Sequence, residues 1–120
     1  MEAERLLDYG IDYDKGLRNC MDNPVFYRKI LSMFLQDQCF SQAKAAYEAE
    51  NRKELFSRMH ELKGISGNAG LFALYDATVP LVELLRKADG LPGGTETLFS
   101  KAETAYERAC KGITLLLSEH

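Results

Sequence analysis

The sequence predicts an all-α protein, an antiparallel four-helix bundle with one or two short additional helices at its amino end. Three observations predict it. Apolar residues recur at three- and four-residue spacing through four long stretches, the period of a helix with one buried face. Helix starts are written in cap residues at Asn23-Pro24, Asn51 and Thr95, and the breaks between stretches in glycine. No segment alternates apolar and polar residues as a strand would, and no repeat or low-complexity tract interrupts the pattern.

Taken in order, residues 1–10 carry Leu6, Leu7 and Tyr9 among charges, which fits a short helix or a loose arm. Ile11 to Leu17 reads as a helical turn or two, broken at Gly16. Asn23 as N-cap and Pro24 at the first helical position open a helix with Val25, Ile30, Leu31, Phe34 and Leu35, running to about Gln38. An alanine-rich short helix follows from Ser41 to about Glu50. Asn51-Arg52-Lys53-Glu54 resembles a capping box, with Glu54 reaching back to the cap. It starts a helix over about 51–67, expected to fail at Gly67-Asn68, residue types that tolerate a left-handed turn. Leu71, Leu74, Tyr75, Leu81, Val82 and Leu85 outline the next helix to about Asp89, with an expected kink at Pro80. The loop Asp89 to Gly94 is punctuation, after which Thr95 caps a last helix with Leu98, Ala102, Ala105, Ala109, Ile113 and Leu116 on one side.

The bulk numbers bound what such a bundle can do. At 120 residues the chain holds one core, so residues 1–120 are expected to form a single domain. With 46% hydrophobic and 28% charged residues, its composition is that of a soluble globular protein. A net charge of −3 gives no electrostatic case for nucleic acid. No apolar run approaches the eighteen or so residues that span a bilayer, and no apolar segment of a signal peptide follows Met1-Glu2-Ala3-Glu4-Arg5. Cys20, Cys39 and Cys110 are odd in number and widely spaced, which argues for reduced cysteines, a cytoplasmic location and no zinc knuckle.

His60 is the one internal histidine. On a helical projection Leu55, Met59, Leu62 and Ser66 form the core stripe, and His60 lies roughly 130° from its centre, toward solvent. Phe56, Lys63, Gly64 and Gly67 surround it within two turns. Two glycines inside a helix cost about 1 kcal/mol each relative to alanine. Close helix packing can select glycine, and Gly67 can serve as a terminator, but together they suggest that something large must approach His60. A neutral imidazole, with an unperturbed pKa of about 6.5, is a nucleophile near neutral pH. Attack on phosphorus would add negative charge that Lys63 can neutralise, with Lys53 two turns back adding positive field.

His60-x-Leu62-Lys63-Gly64-x-Ser66-x-Asn68-x-Gly70 resembles the signature of the histidine-containing phosphotransfer (HPt) domains of multistep phosphorelays. The likeness extends to Asp12 through Arg18 and to Tyr27, Leu31 and Phe34, covering residues 11–90 well and the last helix only in character. The resemblance implies a phosphorelay intermediate: His60 would take a phosphoryl group from the phosphoaspartate of one receiver domain and pass it to another. Lys63 would sit beside that group, and Gly64 would leave room for it and for the receiver. The expected partner face is Lys53, Phe56, Ser57, Lys63, Gly64 and Gly67 around His60. The partners implied are response-regulator receiver domains, with a hybrid sensor histidine kinase a candidate, and the expected state is a monomer. No cofactor and no metal belong to the domain itself; magnesium is expected on the receiver. It would be no kinase, and the chain has no glycine-rich phosphate loop. In this family a polar side chain often hydrogen-bonds the histidine ring, and Gln36 and Gln38 are both candidates. Gly67 stands where the family often has alanine, and Pro80 is less usual.

The rival from another class is a helical adaptor that docks a protein on the same surface without chemistry at His60. A zinc enzyme fails at once, since Gly64 stands where an HExxH helix needs its second histidine. His120, the last residue, is given no role.

Overall fold

The computed structural model describes residues 3–119. Met1, Glu2 and His120 lie outside them. Seven helices and no strand occur among the described residues: α1 (Ala3–Leu7), α2 (Tyr13–Asn19), α3 (Pro24–Gln36), α4 (Cys39–Glu48), α5 (Arg52–Asn68), α6 (Phe72–Leu85) and α7 (Thr95–Leu117). The first two are the short amino-terminal helices expected.

The other five make the four sides of the bundle, because α3 and α4 act as one. They have 13 and 10 residues and together run antiparallel to α7, which has 23. Near the start of α3, Arg28 donates to the carbonyls of Leu116 and Leu117 at the end of α7. Near the end of α4, Tyr47 stacks on Phe99 at the start of α7, with ring centroids 4.4 Å apart. Phe40 bridges Phe99 and Tyr106 at 5.7 and 4.2 Å, so the α4–α7 seam is a ladder of aromatic rings. α5 lies between α4 and α6, and α6 packs antiparallel on α7. The result is a rod 46 Å long and 22 by 20 Å across.

Local chemistry explains most of the boundaries. Asn23 and Asn51 cap α3 and α5, their Oδ1 atoms accepting the amides of Phe26 and Glu54 at 3.1 Å. Glu54 does not complete the box. Its carboxylate turns forward to Arg58 Nε at 2.7 Å, because the Asn51 amide already donates to the Ala46 carbonyl. α4 starts earlier than predicted, at Cys39, whose amide donates to Asp37 Oδ1 at 2.6 Å. α7 has Gly94, at φ 95°, in the N-cap position rather than Thr95. Thr95 is buried, and its hydroxyl donates to the Pro92 carbonyl at 2.7 Å. α6 stops at Leu85, short of Asp89, and runs through Pro80 as one helix.

Two burial expectations and one expected helix break are also corrected. Val25 is 79% exposed, and Tyr27 takes the core position beside Leu31 and Phe34. Tyr75 is 37% exposed, its ring lying over α5 instead of in the core. Gly16 does not break α2. It is buried mid-helix, where a Cβ would collide with the Tyr27 hydroxyl and the Ala69 carbonyl. This glycine marks a close approach between elements.

Candidate functional site

The helix that carries His60 is fastened at both ends. At its start, Arg52 Nη1 donates to the Leu85 carbonyl of α6 at 2.9 Å. At its end, the last carbonyls of a helix lack intrahelical donors, and buried ones must find others. The Leu71 amide returns to the Ser66 carbonyl at 2.9 Å, with Gly70 at φ 76° making the left-handed turn. Gly70 therefore does what the sequence suggested for Gly67-Asn68. The remaining acceptors are met by the amino-terminal segment. Asn19 Nδ2 donates to the Asn68 carbonyl at 3.1 Å, the Tyr27 hydroxyl to Ala69 at 2.6 Å, and the Asp12 amide to Gly70 at 2.7 Å. Burial raises the Tyr27 phenol well above the usual tyrosine range, so it stays protonated as the donor this bond needs.

Between these anchors Leu55, Met59, Leu62 and Ser66 are buried, and His60 stands exposed on the opposite side of α5. The Ser66 hydroxyl is satisfied within the helix, donating to the Lys63 carbonyl at 3.1 Å. His60, Lys63, Gly64, Gly67, Asn68 and Tyr75 line one shallow, open depression. Phe56 flanks the imidazole, with ring centroids 5.9 Å apart and planes inclined at 28°. Lys53 and Ser57 are exposed nearer the start of α5 and do not line the depression. Neither Gln36 nor Gln38 hydrogen-bonds His60, and among the described residues the imidazole has no hydrogen-bond partner.

The two glycines separate on their surroundings. A Cβ on Gly64 would meet nothing within 4 Å, so no packing inside the protein requires glycine there. A Cβ on Gly67 would lie 3.3 Å from the Tyr75 ring, tight enough that Tyr75 accounts for it.

Other neighbours carried no sequence signal. The guanidinium groups of Arg52 and Arg86 lie 5.9 and 5.5 Å from the Phe56 ring centroid. Arg86 also grips Glu83, Nη2 to Oε1 at 2.9 Å and Nε to Oε2 at 3.4 Å. Arg86, and then Lys63, hold the Glu83 carboxyl below its ordinary range. Only the pairing of α5 with α6 brings Arg86, with its partner Glu83, against Phe56, and no spacing in the chain announces it.

All three cysteines are free. Cys39 donates its thiol to the Arg58 carbonyl at 3.2 Å, and burial, then Glu61, pushes its pKa up to about 12. Among the described residues no group of three histidine, cysteine or carboxylate side chains could hold a metal. No helix among them is long and apolar enough to cross a membrane.

No curated protein and no solved structure matches the chain. The family model of the Hpt domain, however, matches residues 29–112. It begins inside α3 and reaches well into α7, so it takes in the last helix, which the motif resemblance covered only in character. By this match the chain belongs to the Hpt domain family, the phosphotransfer carriers that move phosphoryl groups between receiver domains of multistep phosphorelays.

Proposed function

We propose that His60 is the residue that carries the phosphoryl group. The observation that carries this reading is the pairing of an exposed imidazole with Gly64, a mid-helix glycine that has no neighbour of its own. Its missing side chain leaves open ground for another protein beside the nucleophile. A nitrogen of His60 attacks the phosphorus of a receiver's aspartyl phosphate. The P–N bond forms as the P–O bond breaks, and the electron pair leaves on the aspartate carboxylate. The reverse attack by a second receiver's aspartate returns the imidazole. Transfer of this kind rests on positioning and on neutralising charge on the phosphoryl oxygens. Lys63, on the rim of the same depression, supplies the charge.

The receiver docks over Gly64 and Gly67, with Phe56, Ser57 and Lys53 on the side toward the start of α5. Magnesium belongs to the receiver. Residues 1–120 act as one domain, as a monomer in the cytoplasm, which fits the three free cysteines.

The test is phosphotransfer from a panel of phosphorylated receiver domains, run beside a His60→Gln variant. Acid-labile, base-stable label on the wild type alone is the expected result. Receivers that bind both proteins equally and label neither would leave an adaptor and end this reading.

A further inference from the structure

Bare ground beside His60 gives a partner access but little to hold. Gly64 and Gly67 offer no side chain, and α5, with 17 residues, presents an exposed strip about 25 Å long and about 10 Å wide. That falls well short of the roughly 800 Å² that a specific interface covers on each partner. A docked receiver must also grip a neighbouring element. Two exposed aromatic rings stand ready for it near the carboxyl end of α5, both on α6. Phe72 and Tyr75 are each 37% exposed and lie one helical turn apart on one face. The Tyr75 ring covers Gly67, where a Cβ would come within 3.3 Å of it, so this glycine lets the ring lie low across α5.

Tyr75 and Gly67 line two depressions. One is the depression that holds His60, Lys63 and Gly64. The other, about 300 Å³, is completed by Phe72, Gly70, Lys15 and Asp76 and continues the first toward α2. Its size is at the lower limit for a small-molecule site and ample for one side chain. Among the described residues neither Lys15, Asp76 nor the Tyr75 hydroxyl has a side-chain partner. The two opposite charges offset each other, so the depression favours no anion, and they supply the polar rim that surrounds an apolar contact at an interface.

We infer that the receiver's footprint runs from His60 across Tyr75 into this second depression, where an apolar side chain of the receiver packs between Tyr75 and Phe72. This rests on His60 being the residue that brings a receiver to α5. Continuity carries the inference: a domain seated over Gly64 and Gly67 already touches the Tyr75 ring, and the second depression begins on the far side of that ring. Energetics give the same direction. A few aromatic and arginine side chains supply most of the affinity of an interface, and glycine supplies none. Tyr75 and Phe72 thus hold the receiver, while α5 stays bare for the transfer itself.

The test reads binding apart from transfer, with a panel of receiver domains. Titration calorimetry of each unphosphorylated receiver gives Kd. Rapid-quench transfer at rising concentrations of the phosphorylated receiver gives the half-saturating concentration and the maximum rate. Tyr75→Ala should raise Kd and the half-saturating concentration about tenfold, the scale of losing an aromatic contact at the centre of an interface. The maximum rate should change by less than about twofold, because the reacting groups are intact once the receiver is seated. Tyr75→Phe keeps the ring and should match wild type within about twofold throughout. Phe72→Glu stands at the first position of α6, where a carboxylate favours the helix, so it folds. It puts a charge into the apolar depression and should also weaken docking about tenfold or more. An unchanged Kd in both Tyr75→Ala and Phe72→Glu overturns the inference. So does a fall in maximum rate at constant Kd, which would give the ring a part in the chemistry instead. A wild type that sediments as a dimer, with Phe72→Glu a monomer, would make a second copy of the chain the occupant and overturn it too. Receivers that bind the wild type, lose affinity for the variants and label nothing would overturn the carrier reading and leave the docking surface supported. A panel in which no receiver binds would overturn both.

Discussion

Replacing Gly64 by glutamine should push stability and transfer in opposite directions. The position lies inside α5, three turns from its start, and a Cβ there would have nothing within 4 Å. No clash therefore opposes the gain from removing a mid-helix glycine, about 0.5–1 kcal/mol. For a chain of this size that corresponds to a rise in Tm of roughly 2–5 °C. Transfer suffers because the new side chain projects from the ground over which a receiver must descend. Reacting atoms need to close to about 3–3.5 Å, and a displacement of 1 Å can cost about 100-fold. A glutamine side chain holds the partner off by more than that, so the transfer rate should fall by at least about 100-fold. Rapid-quench transfer from a phosphorylated receiver measures the rate, and thermal unfolding followed by circular dichroism measures stability. Loading by phosphoramidate, a molecule small enough to avoid the obstruction, should stay within about threefold of wild type. Gly64→Ala should fall between, since one methyl group intrudes little. A Gly64→Gln protein that transfers as fast as wild type would refute the steric reasoning, and a less stable one would refute the claim that the position is empty.

Two further outcomes concern the anchor at the end of α5. Gly16→Ala places a methyl group against the Tyr27 hydroxyl and the Ala69 carbonyl in a buried site, so it should destabilise by about 1–3 kcal/mol in urea unfolding. Tyr27→Phe removes the 2.6 Å hydrogen bond to Ala69 and should cost about 1–2 kcal/mol. Its pH dependence carries a definite sign. Burial raises the folded-state phenol pKa above the unfolded value of about 10, so the tyrosine's contribution is complete below pH 10. It is lost as pH rises from there through the folded pKa. The stability gap between wild type and Tyr27→Phe should be flat to about pH 9 and shrink above pH 10, and a gap that widened there would show the phenol to be ionised in its site.

What the sequence disclosed and what it hid follow from the range of the forces involved. Helix starts at Asn23 and Asn51 were legible because a cap and its amide lie three residues apart. The buried stripe of α5 was legible because periodicity is a property of one helix, and it placed His60 outside before any neighbour was known. Gly16 was misread because glycine looks the same whether it ends a helix or admits a neighbour, and the neighbours here, Tyr27 and Ala69, are far along the chain. Thr95 was misread because Gly94, in a left-handed conformation, takes the N-cap position one residue earlier, and the Thr95 hydroxyl donates to the loop carbonyl of Pro92. Tyr75, Arg86 and Glu83 needed the α5–α6 pairing, which no local pattern encodes.

The structure also separates two demands that a carrier places on one helix. α5 must be rigid, because a partner domain can align only with a carrier residue that holds still. It must also be bare, because the partner's active site has to close over it. The rigidity comes from below and from the ends: a buried stripe, Arg52 on α6, and the donors Asn19, Tyr27 and Asp12 on the terminal carbonyls. The bareness comes from omission at Gly64. If the glycine were there to loosen the helix, the ends would not be pinned by groups drawn from α2 and α3. Pinning the ends while emptying the middle is intelligible when the missing half of the site arrives on another protein.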